Sequence, residues 1–92
     1  MMDQEALFAE LKQTLEKLGV EVREQSLDLD AGRAKSGMVR IRGKKIALLD
    51  SALALEDKVK TLTSILREFD LGGVYLSPFL RKWIEDEDEK KF

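Results

Sequence analysis

The side chains of this sequence that could carry out chemistry are carboxylates and cations. Its 92 residues include 18 acidic and 16 basic residues but no histidine and no cysteine. The usual side-chain ligands of zinc, copper and haem are therefore missing, as are the common nucleophile pairs of enzymes. We expect no enzyme activity, no metal site and no cofactor, and no pattern of residues indicates a small-molecule ligand.

The carboxylates suggest two sites, and each has a simpler interpretation. Glu68 is of the residue type that acts as a general base, but at helical spacing it shares a face with Lys60 and Ser64, as on a solvated surface. Oxygen ligands for calcium could come from four aspartates, although their spacing is not that of an EF-hand loop. These aspartates are Asp28, Asp30, Asp50 and Asp70. We expect neither site to form.

Basic side chains are concentrated in residues 31–49, which contain no acidic residue. The six basic residues there are Arg33, Lys35, Arg40, Arg42, Lys44 and Lys45. Such a patch can bind nucleic-acid phosphates with an affinity that falls as salt is added. It can also keep an edge strand soluble or pair with the acidic run Glu85–Glu89. The net charge of −2 and the absence of an aromatic residue from the patch favour these simpler roles. Weak, salt-sensitive nucleic-acid binding through residues 33–45 is therefore an alternative hypothesis.

A second candidate surface is largely aromatic and lies near the end of the chain. It consists of Tyr75, Phe79, Trp83 and Ile84. Aromatic anchors of this kind are frequent in protein interfaces. A domain of this size also needs most of its aromatic residues inside, so the same side chains could close the core. Our main hypothesis is a non-catalytic protein-interaction module that binds a protein partner or a second copy of itself.

Hydrophobic periodicity predicts the elements that must position these residues. Apolar residues recur at helical spacing in two long segments and alternate with polar residues between them. Ser77-Pro78 supplies an N-cap followed by proline at the first helical position, which predicts a short third helix. The predicted elements are a helix over 3–18, a strand from 20 toward 29, hairpin strands over 38–42 and 45–49, a helix over 55–70 and the short helix from 78. This order indicates an α+β fold, with helices layered against a three-stranded, mostly antiparallel sheet.

The hairpin is the part of the sheet with the clearest pattern. Gly43-Lys44, with glycine first, is typical of a type II′ turn and pairs Arg42 with Lys45. In this register one face of the hairpin is apolar. Its side chains are those of Val39, Ile41, Ile46 and Leu48.

Length and composition predict one domain in the cytoplasm. Residues 1–84 form the α+β domain, and residues 85–92 form an acidic, frayed tail. No apolar run approaches the roughly 18 residues of a membrane helix, and the first residues lack the pattern of a signal peptide. The absence of cysteine agrees with a reducing compartment. We therefore expect no membrane contact.

Residues 37–50, GMVRIRGKKIALLD, and the helix that follows resemble the front half of small bacterial zinc-peptidase domains of the ImmA/IrrE type. In that family two histidines of an HExxH helix hold zinc, and the glutamate takes a proton from metal-bound water. The corresponding window here is residues 67–71, REFDL, in which only Glu68 is kept. The resemblance implies a degenerate zinc-peptidase-like domain without catalysis, with the helix around Glu68 beside an open sheet edge. Residues 69–78 also resemble the FDL…VYLPP ending of short uncharacterised bacterial proteins, which implies no activity.

Overall fold

The computed structural model describes residues 3–26 and 37–89, and these ranges form the α+β fold that the sequence predicts. A helix is followed by three strands and two further helices. The elements are α1 Gln4–Lys17, β1 Val20–Gln25, β2 Gly37–Ile41, β3 Lys44–Asp50, α2 Leu55–Leu66 and α3 Pro78–Glu89. None of the helices in these ranges is long and apolar enough to cross a membrane.

Capping side chains define the starts of α1 and α3. The carboxylate of Asp3 accepts a hydrogen bond from the backbone N–H of Ala6 at 2.8 Å, which satisfies a donor in the first turn of α1. The hydroxyl of Ser77 does the same for the N–H of Leu80 at 3.0 Å. Pro78 is the first residue of α3, where a missing N–H costs nothing. The predicted start of the third helix is therefore confirmed, and α3 continues through Glu89, across the acidic run that we assigned to a frayed tail.

The second helix ends earlier than its apolar pattern predicts. We expected a helix over 55–70, but α2 ends at Leu66. Beyond it, the N–H groups of Glu68 and Phe69 bond to carbonyl groups three residues back rather than four, which tightens the chain into a turn. Asp70 then accepts a hydrogen bond from the N–H of Gly72 at 3.0 Å and extends the turn. The apolar residues of this segment thus reach the core from an irregular chain.

The sheet is mixed, whereas we expected it to be mostly antiparallel. Its strand order is β1-β3-β2, with β1 parallel to β3 and β2 antiparallel to β3. The apolar composition of β3 suits its central position. A central strand is covered by a neighbour on each side, and Ile46, Ala47 and Leu49 are all buried. The sequence pattern of β1 does not specify on which side of the hairpin it pairs.

The turn of the hairpin lies one residue earlier than predicted. Ile41 pairs with Lys44 and Arg40 pairs with Lys45, so the two turn residues are Arg42 and Gly43. Their φ angles of 53° and 79° are both positive, as in a type I′ turn with glycine second. Our type II′ register is therefore wrong by two residues in each pair, although every side chain keeps its face.

We expect Arg42→Asn to stabilise the domain by about 0.5–1 kcal/mol, because asparagine adopts positive φ more readily than arginine and Asn-Gly is the preferred type I′ pair. Urea denaturation followed by circular dichroism measures the difference. Arg40→Asn is the matched control, since it removes the same charge from an extended strand and relieves no strain. Equal stabilities of the two variants would contradict the explanation.

One face of the sheet packs against the helices. Side chains from β1, β2 and β3 on this face join the cluster formed with the helices. They are Val20, Val22, Met38, Ala47 and Leu49. The predicted apolar face of the hairpin lies on the opposite side of the sheet, and none of its four residues belongs to this cluster. The outer face of the sheet therefore carries apolar side chains of its own.

Candidate protein-binding surface

Tyr75 is the most prominent apolar feature of the described surface, with 75% of the residue exposed. It lines two neighbouring clefts, of about 450 Å³ and 410 Å³. The first is formed by Tyr75 with the start of α3, including Pro78 and Arg81. The second is formed by Tyr75 with one side of α1, including Ala9 and Gln13. We call these two clefts together the Tyr75 groove.

The local chain geometry holds Tyr75 outward. Its neighbours Val74 and Leu76 both belong to the core cluster, Val74 half-buried and Leu76 buried. On the other side, the Ser77 cap holds the first turn of α3. Because both neighbours pack inward, the phenol ring of Tyr75 lies at the surface. Burying the ring would require Val74 and Leu76 to leave the core.

The other members of the predicted aromatic surface contribute to the core. Ile84 is 8% exposed and belongs to the core cluster, and Phe79 is half-buried against it. Trp83 is half-buried, and its indole N–H donates a hydrogen bond to the hydroxyl of Thr63 at 2.8 Å. Thr63 is itself buried and donates to the carbonyl of Val59 at 2.8 Å. Of the four residues, Tyr75 alone presents most of its surface to solvent.

Charged side chains of both signs line the Tyr75 groove. Lys17, Arg81 and Lys82 are the cations, and Glu10 and Glu85 are the anions. Among residues 3–26 and 37–86, none of these five makes an ion pair. An aromatic centre with a polar rim is a common composition for a protein interface.

The basic hairpin is less available than its sequence indicates. Lys44 lies 2.9 Å from a carboxylate oxygen of Glu21, and the ammonium of Lys45 lies 5.1 Å from the centre of the Phe69 ring. Arg40 and Arg42 are exposed and make no ion pair within the described part of the chain. The remaining two basic candidates, Arg33 and Lys35, lie outside the described residues.

Glu21 is a polar feature that the sequence analysis missed. It lies in β1 and accepts hydrogen bonds from Arg23 of the same strand and from Lys44 of β3. These bonds, that from Arg23 foremost, lower the pKa of Glu21 from 4.5 to about 2, so the carboxylate stays ionised at neutral pH. The interaction links β1 to the hairpin across the parallel pairing, which we did not predict.

The carboxylates that we considered as calcium ligands lie apart in the described regions. Asp50 accepts from the N–H of Ala52 at 3.0 Å and shapes the turn after β3, while Asp70 shapes the turn before Gly72. Asp28 and Asp30 lie outside the described residues. In the ranges that the structure describes, no three metal-ligating side chains come together.

A further cleft of about 370 Å³ lies where α2 borders the edge strand β2. Gly37 and Met38 contribute from the strand, and Ser64, Ile65 and Glu68 are among the residues on the other side. Glu68 is exposed there. The outer edge of β2 pairs with no strand in the described part of the chain.

Comparison of the chain with protein-family models, with curated proteins and with solved structures found no match. Its function must therefore be inferred from the geometry of these surfaces.

Proposed function

We propose that this chain is a non-catalytic protein-interaction module that binds its partner through the Tyr75 groove. The observation that carries the proposal is the exposure of Tyr75, 75% of which faces solvent while Phe79 and Trp83 are half-buried. Tyrosine is enriched at interfaces because its ring contributes apolar contact and its hydroxyl contributes a hydrogen bond.

The size of the domain strengthens this argument. A chain of 92 residues has few aromatic side chains, here seven per cent of the total, and most are needed to complete a small core. Keeping one at the surface forgoes about 2 kcal/mol of burial, so a role in binding accounts for its position. We further propose that the protein acts in the cytoplasm, on the evidence of its composition.

Nucleic-acid binding through the hairpin is the competing hypothesis. It would use exposed cations, and of the four that the structure describes, Lys44 and Lys45 already have partners. Among the described residues this leaves Arg40 and Arg42, and two cations make a weak electrostatic site. The Tyr75 groove instead offers an exposed aromatic ring, with charged side chains around it that make no ion pair among the described residues.

The test is affinity capture from a lysate of the source organism with the tagged wild type, Tyr75→Ala and Gln25→Ala, each with and without nuclease. Gln25 is the matched control because its side chain is exposed in β1 and lines neither cleft of the groove. We expect a partner that survives nuclease, is retained by Gln25→Ala and is reduced at least about tenfold by Tyr75→Ala, as for an interface hot spot.

Two results would count against the proposal. Equal retention by Tyr75→Ala and the wild type would remove the groove from the interface. Loss of all partners after nuclease treatment would favour the hairpin, and Arg40→Glu with Arg42→Glu should then abolish binding of an oligonucleotide.

A further inference from the structure

The outer edge of β2 has a pattern of backbone groups that follows from the hairpin register. Ile41 and Lys44 flank a two-residue turn, so they exchange backbone hydrogen bonds with each other. Because such pairs alternate with non-bonded pairs, Val39 also bonds to β3, while Met38 and Arg40 direct their N–H and C=O groups outward. No strand in the described ranges pairs with these outward groups.

We infer that β2 pairs antiparallel with β2 of a second copy, around a two-fold axis at Val39, to form a continuous six-stranded sheet. This register places Met38 of each copy opposite Arg40 of the other, and the two pairs exchange four backbone hydrogen bonds. Val39 then faces its own counterpart as a non-bonded pair, in which side chains approach closely. The inference concerns a surface separate from the Tyr75 groove and does not depend on it.

The side chains of β2 are complementary to themselves in this register. Ile41, which is 49% exposed, lies opposite Gly37 of the second copy. A Cβ built at Gly37 meets no atom within 4 Å, so there is space beside it for a larger neighbour. The only charged residue of the strand, Arg40, lies opposite methionine and not opposite another arginine. Moving the two-fold axis to position 40, a register change of two residues, would place the two Arg40 side chains opposite each other and would be repulsive.

The outer face of the sheet favours the same arrangement. On that face each copy carries the exposed Ile41 and the half-buried Val39 and Leu48, beside Ile46, which is already buried. Joining the two β2 strands makes one apolar strip from two. β2 contains no proline, no lysine and no acidic residue, so Arg40 is its one charged side chain against edge pairing, and in this register Arg40 lies opposite methionine.

The length of the pairing sets the affinity that we expect. Five residues extend over about 17 Å. A contact of this length buries less surface than the roughly 1,200–2,000 Å² of stable interfaces. We therefore expect a reversible dimer with a Kd of about 10 μM or weaker.

Charge substitutions at position 39 test the two-fold axis. Val39→Lys and Val39→Glu each place like charges opposite each other and should weaken the dimer by roughly tenfold or more, whereas an equimolar mixture should pair again. Gln25→Lys is the matched control, because it adds the same charge in the other edge strand and should leave the dimer unchanged. Sedimentation equilibrium between about 1 μM and 500 μM measures association over the range around the expected Kd, and circular dichroism shows that each variant is folded.

The wild type should associate within this range, and Tyr75→Ala should associate equally well, which separates this inference from the proposed function. A wild type that stays monomeric at every concentration overturns the inference. This is also the result expected if the β2 edge binds an extended peptide of another protein instead of a second copy. Unchanged association of folded Val39→Lys, or failure of the mixture to pair while each parent protein is folded, also overturns it.

Discussion

Truncating Leu80 to alanine is expected to lower the free energy of unfolding by about 3 kcal/mol, as for other fully buried leucines. Leu80 is 0% exposed and brings α3 into the core cluster. Residues 67–77, which connect α3 to α2, contain no helix or strand. Side-chain packing, rather than a regular backbone connection, therefore holds α3 against the domain.

Urea denaturation followed by circular dichroism measures this effect. Lys82→Ala is the matched control, because Lys82 is exposed on the same helix and its truncation should change stability by no more than about 0.5 kcal/mol. If Leu80→Ala proves too unstable to fold, Leu80→Val should fold with a smaller loss of about 1 kcal/mol. A loss below about 1 kcal/mol for Leu80→Ala would show that α3 contributes little to the core.

The result bears on the proposed binding surface because α3 lines part of the Tyr75 groove. Pro78 and Arg81 line the first cleft, and the Ser77 cap lies next to Tyr75. When α3 detaches, the first cleft loses one of its walls. Leu80→Ala should therefore weaken partner binding along with stability, whereas Tyr75→Ala should weaken binding alone.

The helices could be predicted from sequence because their signals are local. Apolar spacing locates α1, and Ser77-Pro78 locates the start of α3. The end of α2 could not be predicted, because the apolar pattern continues through Phe69 while the backbone does not. Phe69 instead packs on the core and beneath the ammonium of Lys45. A periodic apolar pattern indicates which residues are buried, and in this segment an irregular turn brings Phe69 to the core where a helix was predicted.

The sheet was less predictable because its arrangement depends on distant residues. Both turn types place a glycine next to the centre of the hairpin, so Gly43 is compatible with either register. The pairing of β1 with β3 depends on packing around the central strand and on the contact of Glu21 with Lys44. Neither is encoded in a local pattern.

The candidate surface was predicted in part. The sequence identified Tyr75 and Trp83 as one aromatic group, but it did not separate an exposed residue from a half-buried one. The separation depends on Thr63, which accepts the indole hydrogen bond from a different helix. Such a partner, 20 residues away in the chain, has no sequence signature.

Replacing Trp83 by alanine is expected to destabilise the domain by about 3 kcal/mol, because it removes packing against the core and leaves the Thr63 hydroxyl without its donor. Trp83→Phe keeps most of the ring and loses the indole hydrogen bond, so it should cost about 1–2 kcal/mol. Urea denaturation measures both, with Tyr75→Ala as the control because its ring is exposed.

A double-mutant cycle with Thr63→Val isolates the hydrogen bond from the packing. The costs of Trp83→Phe and Thr63→Val should fall short of additivity by about 1 kcal/mol, since either substitution alone removes the same bond. Additive costs would show that the indole and the hydroxyl act independently. If Tyr75→Ala proved as destabilising as Trp83→Ala, Tyr75 would also be a core residue, and the groove would lose its anchor. A stable Tyr75→Ala beside an unstable Trp83→Ala would show that folding requires Trp83 and does not require Tyr75, as the proposed binding role of Tyr75 demands.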